Sequence, residues 1–311
     1  MRLAFQTDDR LRCLNRKLSL LNEPPIVLRD PIVQRCLDGF QLGLPRVPIS
    51  GRSGELLGRG AGSSLEFQEY RQYMPGDDIR HIDWSTYARS DQLMVRLYRE
   101  EISPRTQVFV DASRSMNTGE QAKPLVARQL GALFCLLSAR LGGQPQLVPL
   151  NDDLPLRPLG IDGLEQFYQQ PFSANATLPE LLDKQAVPLK PQGLRIVISD
   201  FLFPHDPEAL IRRLAAGASV LWIVQLLTAW EANPTPLGGR RLVDIEAGSE
   251  LDLQIDQRTI QVYLNRLNAL QTELQRQCRR AHATFVTLSA DSGLETLCRG
   301  ELSAAGVLRA A

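Results

Sequence analysis

Gln107-Val108-Phe109-Val110-Asp111-Ala112-Ser113-Arg114-Ser115-Met116 is an apolar run that ends in a carboxylate and two hydroxyls. Gln107 to Val110 reads as a short, fully buried strand, and the chain then turns into small hydroxylated residues. A carboxylate and two hydroxyls spaced D-x-S-x-S just past a strand can aim hard oxygen ligands at one point. Mg²⁺ and Mn²⁺ take such ligands in octahedral geometry and keep several waters. The plainer reading is that Ser113 and Ser115 cap the helix that follows.

Two later segments bear on the choice. Leu194-Arg195-Ile196-Val197-Ile198-Ser199-Asp200 is a second apolar strand ending in an acid, and Asn175-Ala176-Thr177 is a polar loop. In an open parallel sheet, neighbouring strand ends converge on one crevice beyond their carboxyl edge. Asp111 and Asp200 are then expected to face one pocket, with Thr177 arriving from a loop on the same edge. Taken singly, Asp200 reads as a strand-end cap and Thr177 as the N-cap of the helix after it.

Outward from these motifs the chain alternates strand and helix. A helix is expected over 120–141, with Leu125, Leu130, Leu133, Phe134, Leu137 and Leu141 on one apolar stripe and Gly142-Gly143 ending it. A strand follows at 146–150, with 154–159 pairing back on it, then helices near 163–170 and 178–185. After the Asp200 strand come a helix at 207–216 and a buried strand at 220–227. A hairpin over 241–256 turns at Gly248-Ser249, a long helix spans 258–282, and 283–288 is a last strand before a final helix. This pattern predicts an α/β fold with a doubly wound, mainly parallel sheet, the closing elements joining the same sheet and the hairpin standing outside the core as an insertion that could contact a partner.

The preceding part of the chain has a different character. Residues 1–48 read as a helical extension, with helices at 9–21 and 31–40. Residues 49–104 hold a glycine-rich loop (49–64), a densely charged block and a half-buried strand carrying Leu93, Val95 and Leu97. Residues 105–311 form the α/β domain. The loop lacks G-x-x-x-x-G-K-[ST], so a nucleotide site is disfavoured. In the block, Arg71, Asp77, Asp78, Arg80, Asp83 and Arg89 surround Trp84, with Pro75-Gly76 suited to a type II turn. It reads either as a salt-bridged brace or as a partner-recognition surface, since arginine and tryptophan anchor interfaces.

Composition narrows the function classes. Over 311 residues, 35 basic side chains balance 35 acidic ones, so no global field favours nucleic acid or anionic lipid. A hydrophobic content of 43% supports a proper core. Five cysteines form no C-x-x-C pair, which argues against a zinc site or a disulfide framework and for a reducing compartment. No export signal or spanning segment is read, so membrane association is expected only through a partner. His81, His205 and His282 are isolated. A phosphatase-like nucleophile at Asp111 lacks the second acid two residues on, where Ser113 stands.

The ordered set Asp111, Ser113, Ser115, Thr177 and Asp200 resembles the metal-ion-dependent adhesion site of von Willebrand factor A domains. Glu66-Phe67, Glu69-Tyr70-Arg71, the run from Tyr73 to Trp84 and Ala88-Arg89, followed by D-x-S-x-S-M at Asp111 to Met116, resemble the domain-of-unknown-function 58 family over roughly residues 50–300. That resemblance implies a Mg²⁺ or Mn²⁺ ion held by Ser113, Ser115 and Thr177, with Asp111 and Asp200 acting through water. It implies that the ion's open position takes a partner's carboxylate. It further implies a MoxR-type AAA+ ATPase and a client protein as partners in a cytoplasmic, non-catalytic adaptor. The alternative is a metal-dependent hydrolase of phosphoesterase type using Asp111 and Asp200.

Overall fold

Apolar runs buried on both faces become the central strands of one parallel sheet, because only strands covered on both sides can carry them. The computed structural model describes residues 30–44, 65–74, 82–100, 105–118, 122–184, 186–191, 193–235, 238–243 and 250–311. The expected helix at 9–21, the glycine-rich loop, Cys13, Asp77, Asp78, Arg80, His81 and the Gly248-Ser249 turn lie outside them. The first elements are α1 (Pro31–Gly39), β1 (Phe40–Leu42), β2 (Leu65–Gln72), α2 (Trp84–Ser90) and β3 (Met94–Glu100). Then come β4 (Thr106–Asp111), α3 (Ala122–Arg140), β5 (Gln146–Leu150), α4 (Leu164–Gln169), α5 (Leu178–Asp183), β6 (Leu194–Ser199), α6 (Pro207–Ala215) and β7 (Val220–Leu227). The chain continues through α7 (Ala229–Ala232), β8 (Gly238–Val243), β9 (Glu250–Ile255), α8 (Gln257–Arg280), β10 (Thr284–Ser289), α9 (Leu294–Leu297) and β11 (Leu308–Ala310).

The five-stranded sheet has the order β10-β7-β6-β4-β5 and every neighbouring pair is parallel. The α/β class and doubly wound sheet expected from the alternation are therefore present. Side chains alternate across the pleat, so each central strand feeds two cores. Val108, Val110, Ile196, Ile198, Trp222 and Val224 join one core with α1 and α3. Phe109, Val148, Val197 and Ile223 lie in register across four strands and join the other, with α5, α6 and Leu274 and Cys278 of α8.

Strand order also decides where a site can form. From β4 the chain moves outward to β5 on one side, and β6, β7 and β10 stack on the other. The crevice between the ends of β4 and β6 is the switch point of this topology, where neighbouring connections leave in opposite directions. Asp111 closes β4 and Asp200 follows β6 at that place.

Several local expectations need correction. Residues 154–159 form no strand; a single bridge joins Leu159 to Leu147, through N–O contacts of 2.8 and 2.7 Å. The hairpin of β8 and β9, by contrast, is the insertion expected of it, a two-stranded sheet separate from the main one. Leu125 is exposed, although it was expected in the apolar stripe of α3. Helix α3 is instead packed on nearly all sides, by the sheet and by α1, so most of its residues are buried whatever the stripe. Residues 30–44, expected within an extension, share that core: Val33, Cys36, Leu37 and Leu42 are buried in it, and β1 pairs antiparallel with β11. The Asp30 carboxylate caps α1 through Ile32 N (2.9 Å) and accepts from Gln129 Nε2 of α3 (2.7 Å).

One glycine fixes the entry to β6. Gly193 has φ +154°, and a Cβ there would lie 2.1 Å from the Arg105 carbonyl oxygen, a backbone atom that cannot swing away. Gly193→Ala is expected to lower stability by more than about 1 kcal/mol in urea unfolding. Gly217 also has a positive φ, but a Cβ there meets only Pro191 atoms at 3.6 Å, so Gly217→Ala should cost less. Equal losses at the two positions would refute the close-approach explanation.

Candidate functional site at the carboxyl edge of the sheet

Asp111 leaves β4 with its side chain buried, 3% exposed. Its Oδ1 accepts from the Ser113 amide at 2.9 Å and its Oδ2 from Ser199 Oγ at 2.6 Å. The turn this makes brings Ser113 Oγ within 3.0 Å of Ser115 Oγ, before a 3₁₀ turn over Arg114–Asn117. Ser113 makes no side-chain cap to that turn, so the capping reading does not hold for it. Burial pushes the Asp111 carboxyl up to about 6; the nearby Asp200 charge adds to this, and the bonds from Ser199 and Ser113 oppose it.

Asp200 is fully buried beside it. Its Oδ1 accepts from the Leu202 amide at 3.0 Å, so the strand-end cap expected of it is present. That cap requires Phe201 at φ +56°, an unusual conformation for a bulky residue, held by the Phe201 amide donating to Ser199 Oγ (3.1 Å). The other oxygen, Oδ2, accepts from Lys123 Nζ at 2.9 Å.

Lys123 is the part of the site that sequence reading missed. It stands in the first turn of α3, is 0% exposed, and its ammonium also contacts Ser115 O (3.1 Å) and both carboxylate oxygens of Glu231 (2.8 and 3.0 Å). Glu231 belongs to α7, where it closes a capping box with Thr228 (Thr228 N to Oε2, 2.8 Å; Glu231 N to Thr228 Oγ1, 3.1 Å). Thr118 Oγ1 lies 2.9 Å from Ser115 O and 3.2 Å from Glu231 Oε1, and Tyr263 of α8 donates to Glu231 O at 2.7 Å. Asp200 and Glu231 thus share one ammonium, and Asp111 lies beside Asp200 bonded only to Ser113 and Ser199, so carboxylates outnumber cations among the described residues of the cluster. The T-x-x-E pattern at Thr228–Glu231 was a readable signal for a helix start. Nothing local marks Lys123, which reads like any solvated first-turn lysine.

Thr177 is the N-cap of α5, with its amide donating to Glu180 Oε2 at 3.0 Å. Its loop is tied to the site's edge, since Ser113 bridges Ala174 through Arg114 N to Ala174 O (3.1 Å) and Ala174 N to Ala112 O (3.0 Å). Asp152 holds the same loop by accepting from the Asn175 and Ala176 amides, both at 2.9 Å. One connected network therefore joins Asp111, Ser113, Ser115 and Asp200, while Thr177 sits at the cap three residues beyond the bridge. Among the described residues no three His, Cys, Asp or Glu side chains form a metal cage of charged ligands alone.

The family model for "Protein of unknown function DUF58" matches residues 69–273 of this sequence. The chain belongs to the DUF58 family. Uncharacterized proteins of Mycobacterium tuberculosis (Rv1480) and Mycobacterium bovis (Mb1516) are each 27% identical to it, covering 86% of this chain and 89% of theirs. Two solved structures each align over 65% of it. One is the conserved hypothetical protein BatB from Bacteroides thetaiotaomicron (11% identity, 98% of its length, TM-score 0.37). The other is an aerotolerance-related membrane protein from Bacteroides fragilis (12%, 99%, 0.35).

The DUF58 match spans both the acid cluster and the charged block. In that block Asp83 is buried and caps α2, accepting from the Ser85 and Thr86 amides (3.0 and 3.2 Å) and from both hydroxyls (2.6 and 3.0 Å). Seven-residue α2 is too short to announce itself by periodicity, and the sequence reading contained no helix there. Trp84 is 62% exposed and packs edge-on against Tyr87, with ring centroids 6.3 Å apart. Arg71 is half-buried, and exposed Arg89 donates to Ser85 O at 3.1 Å. Tyr70, Met74 and Leu93 are exposed on the neighbouring elements. Asp83 thus caps α2, whereas Trp84 offers its ring to solvent.

Among the described residues of this DUF58 chain, no histidine or cysteine contributes a reactive group to the cluster. His205 contacts Phe203 O at 2.8 Å, and its ring packs against Phe203 with burial lowering its basicity. Cys36, Cys135, Cys278 and Cys298 are free and buried. Burial pushes the Cys135 thiol well up, which keeps it protonated. Among the described residues no helix is long and apolar enough to cross a membrane.

Proposed function

We propose that this chain is a non-catalytic, metal-dependent protein-binding adaptor whose docking point is the acid and hydroxyl cluster at the carboxyl edge of the sheet. The observation that carries the reading is a buried excess of negative charge beside paired hydroxyls, rimmed by exposed apolar side chains. Leu154 and Leu202, in the segments after β5 and β6, and Trp230, in α7 directly after β7, are 48%, 36% and 46% exposed. An apolar rim around a charged centre suits a protein surface better than a phosphoester.

The residues fit a Mg²⁺ or Mn²⁺ ion of the adhesion type. All donors are hard oxygens, and the raised Asp111 carboxyl lacks a compensating positive charge. Ser113 and Ser115 would hold the ion directly, Asp111 and Asp200 through water, and Thr177 from the adjoining loop. When bound, the ion supplies an open position that a partner's carboxylate completes. Ser199 and the Ser113 amide keep Asp111 oriented, and the Leu202 amide does the same for Asp200. By its resemblance to von Willebrand factor A-like, MoxR-associated proteins, the chain would link a MoxR-type AAA+ ATPase to a client in the cytoplasm.

Calorimetric titration with Mg²⁺ and Mn²⁺ tests this reading, using wild type beside Asp111→Ala and Ser113→Ala, each first checked for folding by circular dichroism. One-site binding is expected in wild type and at least a tenfold loss in both variants. Absence of wild-type binding at millimolar Mg²⁺ would overturn it. Metal-stimulated turnover on a panel of phosphoesters would favour the hydrolase alternative. Both oxygens of Asp111 and of Asp200 are already hydrogen-bonded, which weighs against either acting as a nucleophile.

A further inference from the structure

We propose that Lys123 is a tethered cation that competes with the divalent ion for the acid cluster and so sets how much metal the site requires. The inference rests on the metal-site reading above and concerns its regulation. Four acceptors surround the Lys123 ammonium, all within 3.1 Å: Asp200 Oδ2, both oxygens of Glu231 and the Ser115 carbonyl. No solvent reaches it. It is bonded to the carboxylate that ends β6 and to the backbone of Ser115, whose hydroxyl is one of the two paired at the site. An ion brought to Ser113 and Ser115 meets a positive charge held on the Ser115 carbonyl, and Asp200 already carries a cation on one oxygen. Like charges in a desolvated site repel strongly, so the ammonium must weaken metal binding.

The arrangement also lets the lysine yield without being stranded. Glu231 accepts from it with both oxygens and is fixed independently, by the Thr228 amide and by the α7 cap. Withdrawing from Asp200 alone frees Oδ2 and leaves the ammonium paired with Glu231. The metal-free cluster is therefore held together by the chain's own cation, which a divalent ion must outcompete. A site of this design fills when free metal is plentiful, and a partner's carboxylate then adds to the ion's affinity.

Calorimetric Mg²⁺ titration of wild type, Lys123→Met and the double variant Lys123→Met/Glu231→Gln tests the proposal, with thermal melts confirming that each is folded. The double variant removes one positive and one negative charge, so the cluster keeps its net charge and only the competing ammonium is gone. At least tenfold tighter Mg²⁺ binding is expected in it, and at least as great a gain in the single variant if that folds. The same gain over a wild type too weak to register would support competition while removing the metal role of the wild-type site. Equal or weaker binding in the double variant, with wild type binding, overturns the competition and leaves the metal site standing. No binding in wild type or in any variant overturns both.

Discussion

Lys123→Met is expected to lower the unfolding free energy by about 3–5 kcal/mol, the cost of removing one partner from a buried ion pair. The ammonium has no exposure, and its loss leaves Asp200 and Glu231 without their cation while Asp111 stands nearby. Asp200→Ala, which breaks the same 2.9 Å contact from the other side, is expected to cost less. Lys123 keeps Glu231 in that variant, and Asp111 is relieved of a neighbouring charge that raises its carboxyl. The asymmetry follows from the charge balance, because removing the cation that Asp200 and Glu231 share worsens an excess that removing an anion reduces. Urea unfolding of both variants at neutral pH measures it. If Asp200→Ala proved the more damaging, the excess of negative charge would not be what Lys123 offsets.

The second large effect is a fall in stability with rising pH. The Asp111 carboxyl has an ordinary value of 3.8 and stands at about 6 in the folded chain. The folded state therefore holds a proton that the unfolded state has already released, and the contribution is fully present below about pH 4. It is lost as pH rises through 6, when Asp111 must ionise while buried beside Asp200. At 1.36 kcal/mol for each tenfold difference in proton affinity, this single group removes about 3 kcal/mol between those limits. Urea midpoints across that range are expected to fall in wild type and to stay flatter in Asp111→Asn. Saturating Mg²⁺ should flatten the wild-type profile as well, since a divalent charge favours the ionised carboxylate. A wild-type profile as flat as that of Asp111→Asn would show that Asp111 keeps its ordinary proton affinity in the folded chain.

The sheet was legible because its central strands are written in one style. Val108 to Val110, Ile196 to Ile198 and Val220 to Val224 are unbroken apolar runs, and such runs are stable only between two covering layers. Asp111 and Asp200 were legible for the same reason, as abrupt acids where those runs stop. Periodicity failed where packing overrode it. Leu125 falls on the apolar stripe of α3 yet faces solvent, while Gln129 and Ser138 of the same helix are buried. The cause is that α3 is wrapped by the sheet and by α1, a neighbour 90 residues away in the chain. Short α2 gave no period to read, and its capping residue Asp83 looked like one more charge in a charged block.

By itself, the amino-acid sequence determined the class of fold, the two acids at the sheet's edge and the hydroxyls beside them. Each of these depends on residues close together in the chain: apolar runs, the D-x-S-x-S spacing, and an acid one step past a strand. Only the tertiary structure decided which charges meet. Lys123 lies 77 residues from Asp200 and 108 from Glu231, and it reaches both because strand order puts the start of α3 beside the ends of β6 and β7. A buried ion pair is long-range and has no period, so its members look like any surface lysine and glutamate until the fold removes the water around them.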